Sequence, residues 1–99
     1  MRMHTNEIQF TAHFRKLYNK KCQKEPEHII KKMNDGITGI THSLEPERLG
    51  EMKKGKLMGY YSYSINKRHR ILYTVHRLEN KAFVTLHLVC DHKQSYDKD

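Results

Sequence analysis

The feature that most constrains the fold is an alternation of side chains in the second half of the chain. Residues 60–65 alternate, a turn follows at 66–68, and residues 69–76 alternate again. A period of two is typical of strands that bury one face. These segments therefore predict a β-hairpin. Residues 82–90 are dense in β-branched and aromatic side chains, which predicts a third, central strand after another turn.

The first half of the chain has a different period. Residues 7–10 alternate and predict a short strand, after which Thr11 can cap a helix, and Pro26 suits the first turn of a second helix. Gly36 and Gly39 are expected to fray the end of that second helix. The apolar side chains that recur at helical spacing are Phe14, Leu17, Tyr18 and Cys22 in the first helix, and Ile29, Ile30, Met33, Ile37 and Ile40 in the second.

Residues 42–56 show no clean period. They contain two glycines and a proline and predict a loop, with a helical turn near residues 44–49. A chain of 99 residues forms one domain, which we place at 1–99. Together the elements predict an α+β fold, in which two N-terminal helices pack on one face of a small antiparallel β-sheet.

Alternation also predicts which face of the sheet the helices cover, because successive side chains of a strand point to opposite faces. The apolar set that we expect under the helices is Tyr61, Tyr63, Ile65, Ile71, Tyr73 and Val75. The opposite, open face is expected to carry the function. It collects Tyr60, Ser62, Ser64, Arg70, Leu72 and Thr74, and either Thr85 with His87 or their neighbours.

The charge of the chain indicates a polyanionic partner. The formal net charge is +8, and residues 50–77 alone hold seven basic residues and one acidic residue. Such an imbalance in a small domain predicts nucleic-acid binding, although lysine pairs in loops are also common as ordinary solvated charge.

Other function classes are excluded by what the sequence lacks. No apolar run approaches the roughly 18 residues of a membrane span, and the start has no signal-peptide core, which predicts a cytoplasmic protein without a membrane partner. Cys22 and Cys90 are then expected to stay reduced. Metal-ligand spacings, glycine-rich phosphate loops and nucleophile elbows are missing, so we expect no metal and no cofactor.

Residues 59–73 carry a more specific pattern, Gly-Tyr-Tyr-Ser-Tyr-Ser-Ile-Asn-Lys-Arg-His-Arg-Ile-Leu-Tyr. This segment resembles the signature hairpin of the Txe/YoeB toxins of the RelE superfamily. Residues 30–34, Glu51 and the region of Tyr96 resemble further motifs of the family in the same order. The resemblance therefore covers nearly the whole chain.

The resemblance implies a RelE-like fold and the toxin of a type II toxin–antitoxin system, a metal-independent endoribonuclease that cuts mRNA on the ribosome. In that reaction a base activates a ribose 2′-OH, a cation stabilises the phosphorane and an acid protonates the leaving oxygen. The resemblance assigns the base to Glu51 and the phosphate clamp to Arg70, and places Tyr96 against the substrate. The residues expected to contact RNA are Lys53, Lys54, Lys56, Ser62, Ser64, Lys67, Arg68 and His69.

The chain departs from the family pattern at the general acid. The family commonly ends in His-Tyr, whereas this chain reads Ser95-Tyr96. We therefore expect His92 to supply the proton, since an imidazole titrates near pKa 6.5, with His69 or Tyr96 as alternatives. The hairpin departs as well, because Tyr63 and Ser64 stand where the family usually has basic residues.

The resemblance also implies partners, namely a cognate antitoxin, the ribosome and mRNA, with a homodimer as a further assembly. Two alternative functions stay open: a ParE-like toxin that binds DNA gyrase and cleaves nothing, and a non-catalytic RNA-binding domain of the same fold. The order of Glu51, Arg70 and Tyr96 argues against the first alternative, whereas Ser64 and Ser95 keep the second one open.

Overall fold

The computed structural model describes residues 4–91. A strand comes first, three helices follow, and four more strands complete the described chain. The elements are β1 (Glu7–Phe10), α1 (Ala12–Lys24), α2 (Glu27–His42), α3 (Pro46–Leu49), β2 (Glu51–Met52), a 3₁₀ turn (Gly55–Leu57), β3 (Tyr61–Ser64), β4 (His69–Leu78) and β5 (Lys81–Asp91). Within residues 4–91 no helix is both long enough and apolar enough to cross a membrane.

The strands form one five-stranded sheet in the order β1-β5-β4-β3-β2. β4 pairs antiparallel with both β3 and β5, which confirms the predicted hairpin and third strand. β1 instead runs parallel to β5, with Glu7 opposite Phe83 and Phe10 opposite Leu86. The α+β fold is therefore confirmed, and the antiparallel sheet is corrected to a mixed one. Local periodicity identifies a strand but not the direction of a distant partner.

Helices α1 and α2 cover one face of the sheet. Thr11 caps α1, because its Oγ1 accepts the Phe14 backbone N–H at 2.9 Å. The core beneath the helices consists of Phe14, Met33, Ile40, Ile71, Tyr73, Val84, Leu86 and Val89, and Tyr61, Tyr63, Ile65 and Val75 pack against it. The predicted buried face is thus confirmed. Each such apolar side chain contributes roughly 1.5–3 kcal/mol when fully buried.

Helix α2 runs through both of its glycines to His42, so the predicted fraying is wrong. The reason is a close contact with the sheet. A Cβ atom at Gly36 would lie 2.7 Å from Cε1 of Tyr63, whereas one at Gly39 would have no neighbour within 4 Å. Gly36 lets the helix backbone approach the tyrosine ring, and this packing offsets the unfavourable helix propensity of glycine, about 1 kcal/mol.

The segment predicted as a loop contains two short elements. The helical turn near residues 44–49 is confirmed as α3, whose first residue is Pro46. The other element is strand β2, which the sequence pattern does not predict. Glu51 pairs with Ser62, and Met52 with Tyr61, at the edge of the sheet. Two residues are too few to show a period, so only the pairing with β3 reveals the strand.

Strand β5 contains one more residue than the stretch of β4 that it faces. Leu72 lies opposite Leu88 but Tyr73 lies opposite Leu86, which leaves His87 unpaired in a β-bulge. The side chain of His87 contacts Thr74 on the face opposite the helices, with 2.9 Å between Nε2 and Oγ1. The bulge therefore adds a histidine to the open face.

Candidate functional site on the open sheet face

The open face, opposite the helices, aligns polar side chains from three strands in two neighbouring rows. One row contains Glu51, Ser62 and Leu72, and the next contains Ser64 and Arg70. Two strand spacings and two residue steps separate Glu51 from Arg70, which places their Cα atoms about 12 Å apart. Both side chains are long enough to approach one phosphodiester group lying between them.

Glu51 directly follows α3, and two side chains of β4 hold α3 to the sheet. The Tyr73 hydroxyl donates to the Pro46 carbonyl at 2.7 Å. Burial raises the pKa of Tyr73, so this hydroxyl remains a protonated donor. Arg77 donates two hydrogen bonds to Glu47, at 2.6 and 2.8 Å, and these lower the pKa of the Glu47 carboxyl. The Glu51 side chain itself is exposed.

Gly50 joins α3 to β2 at a very close backbone approach. A Cβ atom at this position would lie 2.7 Å from the Tyr73 hydroxyl and 3.0 Å from the Ser62 carbonyl oxygen. A contact of 2.7 Å is closer than Cβ atoms come in proteins, and the Tyr73 hydroxyl is itself held by the Pro46 carbonyl. Glycine therefore allows the chain to pass flat against β3 and sets the position at which Glu51 enters the sheet.

Arg70 is half-buried on the open face beside the turn between β3 and β4. Its Nη1 donates to the Asn66 carbonyl and, at 3.1 Å, to the His69 carbonyl. Asn66 fixes the turn in its own right, because its Oδ1 accepts the backbone N–H groups of Arg68 at 2.9 Å and His69 at 2.7 Å. A guanidinium has five N–H donors, so bonds from one nitrogen leave others for a phosphate.

His69 precedes Arg70 by one residue and lies on the opposite, helix-covered face. Its side chain is 2% exposed, with Nε2 3.5 Å from a Glu25 carboxylate oxygen and Nδ1 3.3 Å from one of Asp91. The Lys21 ammonium lies 3.2 Å from the same Nδ1. Burial first, and the charge of Lys21 second, lower the pKa of His69. The structure thus corrects the predicted RNA contact and the alternative acid role of His69, since this imidazole links α1 to the hairpin.

Exposed cationic side chains flank the open face at both ends. Lys54 and Lys56 lie between β2 and β3, and Lys67 and Arg68 lie in the turn between β3 and β4. Arg68 also has a partner, because its Nη2 is 3.6 Å from a carboxylate oxygen of Asp91. The basic surface predicted for this region is therefore present, with part of the Arg68 charge offset.

Two residues of the predicted RNA contact set are buried beside Glu51. Lys53 is 7% exposed, so the structure corrects its predicted position on the surface; its backbone N–H donates to the Tyr60 carbonyl at 2.9 Å. Ser62 is 4% exposed, and its hydroxyl has no hydrogen-bond partner among residues 4–91. Leaving a buried hydroxyl unpaired costs about 1–3 kcal/mol. The Ser62 hydroxyl is thus an unused polar group within the row that begins at Glu51.

Solved structures match this arrangement of helices and strands, whereas no family model and no curated protein matches the chain. A YoeB/ParE toxin from Agrobacterium tumefaciens has a TM-score of 0.71 at 24% identity, over 87% of this chain and 98% of that chain. A chain of the YoeB–YefM complex from Staphylococcus aureus has a TM-score of 0.65 at 29% identity, over 88% and 97%. The YoeB dimer from the same organism gives 0.61 at 27% identity, over 89% and 97%.

The chain has the fold of the YoeB-type toxins of the RelE superfamily. The resemblance predicted from residues 59–73 is confirmed by these matches, which cover 87% and 88% of this chain. Glu51 and Arg70 lie together on the open face of this YoeB-type fold. Their chemical roles stay predictions.

The open face also holds an aromatic cluster that the predicted site did not include. The rings of Tyr60 and His87 meet edge to face, with centroids 5.0 Å apart. Nε2 of His87 lies 2.9 Å from Thr74 Oγ1, and burial lowers the pKa of His87. Alternation predicted Tyr60 and Thr74 on this face, but only the bulge in β5 brings His87 to them. No local signal in the sequence marks that bulge.

The remaining two predicted catalytic residues, His92 and Tyr96, lie outside the described residues. Of the predicted catalytic set, the structure therefore places Glu51 and Arg70. The proton donor to the leaving group stays a prediction, and the choice is narrowed to His92 and Tyr96 because His69 is buried on the other face.

Proposed function

We propose that this protein is the toxin of a toxin–antitoxin pair and an endoribonuclease that cleaves mRNA on the ribosome. The observation that carries the proposal is the placement of Glu51 and Arg70 on one open face, with Cα atoms about 12 Å apart. The YoeB-type fold supports it, and so does the excess of basic side chains around that face.

The reaction begins at the ribose. The exposed Glu51 carboxylate accepts the proton of a 2′-OH group, and the 2′ oxygen attacks the adjacent phosphorus. As the new P–O bond forms, the bond from phosphorus to the 5′ oxygen breaks. The products are a 2′,3′-cyclic phosphate and a free 5′-OH, so the reaction consumes no water in this step.

Arg70 stabilises the charge that develops on the phosphorane. Its guanidinium cannot lose its proton and matches two phosphate oxygens in one plane. The bonds from Nη1 to the carbonyls of Asn66 and His69 hold the side chain in place before the substrate arrives. Groups oriented in advance in this way are the most effective electrostatic catalysts, and one donor contributes roughly 10²–10³ in rate.

A general acid completes the reaction by protonating the leaving 5′ oxygen. We propose His92 or Tyr96 for this role. The support is the sequence resemblance of the chain end. The burial of His69 beneath α1 argues against the third candidate. An imidazole that titrates near neutral pH suits proton donation.

The proposed partners are a cognate antitoxin, the ribosome and mRNA. Solved relatives include a YoeB–YefM complex and a YoeB dimer, which support an antitoxin partner and a homodimer for this chain. We propose that the antitoxin covers the basic open face, so its binding should weaken as salt rises. A ribosomal substrate places the protein in the cytoplasm.

The proposal is tested by inducing the protein in bacterial cells and mapping cuts in a cellular mRNA by primer extension. Growth should stop and cuts should appear within translated codons. Glu51→Gln, which keeps the size of the side chain but not its basicity, should abolish both effects. The control is Glu27→Gln, at an exposed position of α2, which should retain both effects.

Two outcomes would contradict the proposed nuclease activity. Growth inhibition without mRNA cuts, unaffected by Glu51→Gln, would favour the ParE-like alternative. RNA binding by the parent chain without cleavage or growth inhibition would favour the non-catalytic RNA-binding domain.

A further inference from the structure

A cleft on the open face lies beside Glu51 and Arg70 but is lined by neither of them. Its volume is about 330 Å³, at the low end of the range for ligand pockets, roughly 300–1,000 Å³. The 3₁₀ turn between β2 and β3 forms one wall, and β4 and β5 form the floor. The lining residues are Thr11, His13, Leu57, Tyr60, Leu72, His87 and Leu88.

The aromatic pair gives this cleft a defined shape. Tyr60 and His87 are both partly exposed and pack edge to face, with ring centroids 5.0 Å apart. His87 is held on two sides, because Thr74 Oγ1 lies 2.9 Å from its Nε2 and Thr11 Oγ1 donates to its backbone carbonyl at 3.1 Å. The other ring nitrogen, Nδ1, has no hydrogen-bond partner among residues 4–91 and remains available to a ligand.

The chemistry of the cleft favours a planar, uncharged ring. None of its lining residues is acidic, and leucine side chains supply much of the surface. Burial lowers the pKa of His87, so its imidazole is neutral at pH 7. A neutral imidazole and a phenol stack on heteroaromatic rings, and Nδ1 can form a hydrogen bond with the edge of such a ring.

The position of the cleft connects it to the phosphate site. Leu72, on its floor, is two residues from Arg70 along β4, a distance of about 7 Å, and pairs with Ser62 of the row that begins at Glu51. A nucleotide presents a phosphate and a base in the same way, as neighbouring charged and apolar parts. The charged residues Glu51 and Arg70 therefore match the phosphate of an RNA strand, and the uncharged cleft matches one of its bases.

We propose that the cleft lined by Tyr60 and His87 binds one nucleobase of the RNA strand whose phosphate lies between Glu51 and Arg70. The inference rests on the proposed function for the identity of that strand. Recognition is by stacking, which every base allows, and by one hydrogen bond from His87 Nδ1, which gives a modest preference among bases.

The test measures binding without cleavage. The probe is a trinucleotide RNA carrying 2′-O-methyl groups, which cannot supply the attacking hydroxyl, and a matched trinucleotide whose central nucleotide lacks its base. In NMR titrations the ring signals of Tyr60 and His87 should shift with the intact probe, and those of His28 on exposed α2 should not. The abasic probe should bind roughly 5- to 150-fold more weakly, the range of one stacked base.

Variants separate stacking from folding. Tyr60→Leu should weaken binding of the intact probe by a similar factor and leave the abasic probe unaffected, while Tyr60→Phe should retain affinity. Tyr18→Leu, on the helix-covered side of the molecule, is the matched control and should bind like the parent chain. Circular dichroism confirms that each variant is folded.

The outcomes distinguish the cleft from the nuclease. Equal affinity for the intact and abasic probes, or unchanged binding by Tyr60→Leu, would overturn the base cleft even if Glu51 and Arg70 prove catalytic. If Tyr60→Leu weakens the binding of a purified antitoxin but not the binding of RNA, the occupant of the cleft is a protein side chain and the proposal of a nucleobase is overturned. Base-dependent binding by a protein that cuts no mRNA would uphold the cleft and contradict the nuclease.

Discussion

The side chains of His69 and Arg70, consecutive residues of β4, lie on opposite faces of the sheet and belong to different parts of the molecule. His69 is buried among Lys21, Glu25 and Asp91 beneath α1, whereas Arg70 lies on the open face. The His69 backbone carbonyl nevertheless accepts a hydrogen bond from Arg70 Nη1 at 3.1 Å. The buried residue thus anchors the backbone that orients the proposed phosphate clamp.

Replacing Arg70 should remove catalysis without unfolding the protein. We expect Arg70→Ala to lower the single-turnover rate of mRNA cleavage on the ribosome by roughly a hundredfold or more, because a transition-state charge loses its donor. Arg70→Lys should recover only part of this rate, since an ammonium is a point charge without the planar fork. Arg15→Ala, on the exposed surface of α1, is the control. A folded Arg70→Ala variant that cleaves at the parent rate would exclude the clamp.

Mild acidification should destabilise the fold through His69 and His87. The pKa of His69 is lowered by burial and by Lys21, and burial also lowers the pKa of His87. Below the unfolded-state pKa of about 6.5 the unfolded chain binds more protons than the native protein. The free energy of unfolding is therefore highest above about pH 7 and falls as pH drops through 6.5 toward the lower native values.

Urea unfolding at pH 7.5, 6.5 and 5.5 measures this dependence. His69→Gln should reduce the slope of the free energy of unfolding against pH, because a group whose pKa is lowered in the folded protein is gone. Equal slopes in the parent chain and His69→Gln would mean that His69 titrates alike in the folded and unfolded states.

Gly50→Ala should lower the rate of mRNA cleavage as well as the free energy of unfolding. Its Cβ would press on the Tyr73 hydroxyl at 2.7 Å and on the Ser62 carbonyl at 3.0 Å, and relief requires β2 to move away from β3. Such overpacking costs about 1–3 kcal/mol, and the movement displaces Glu51 from the open face. Cleavage rates and urea unfolding of the same variant measure both effects. An unaltered cleavage rate would show that the position of Glu51 does not depend on this contact.

Two glycines of α2 provide a matched pair for stability. Gly39→Ala should stabilise the protein by about 0.5–1 kcal/mol, because the new methyl group meets no neighbour and alanine favours the helix. Gly36→Ala should destabilise it by about 1 kcal/mol or more, because the methyl group meets the Tyr63 ring at 2.7 Å. Thermal unfolding resolves the difference, since 1 kcal/mol shifts Tm by roughly 4–8 °C in a domain of this size. Equal Tm values would disprove the close contact.

Much of the sheet could be predicted because its signal is local. Alternation alone placed Tyr73 under the helices and Arg70 on the open face, and the structure confirms both placements. The same alternation places His69 on the helix-covered face, on the same side of β4 as Tyr73. The prediction that His69 contacts RNA instead groups it with the turn residues Lys67 and Arg68, and the period of the strand is the better guide to its buried position.

The parts that could not be predicted depend on contacts between distant residues. The parallel pairing of β1 with β5 joins strands that are more than 70 residues apart. The bulge in β5 concerns a single unpaired residue, His87. Neither feature alters the local pattern of side chains. Gly36 shows the same limit, because its place in an uninterrupted helix depends on the ring of Tyr63.

The parallel pairing of Glu7–Phe10 with residues 83–86 also determines when the molecule can fold during synthesis. Strand β5 joins β1 to β4 and is the last of the described elements to be translated. Until it emerges, the apolar faces of α1 and α2 have no complete sheet to cover, and loop closure over more than 70 residues is unfavourable. A nascent chain that stops before β5 therefore carries both proposed catalytic residues, Glu51 and Arg70, but lacks the strand that would hold them in a folded protein.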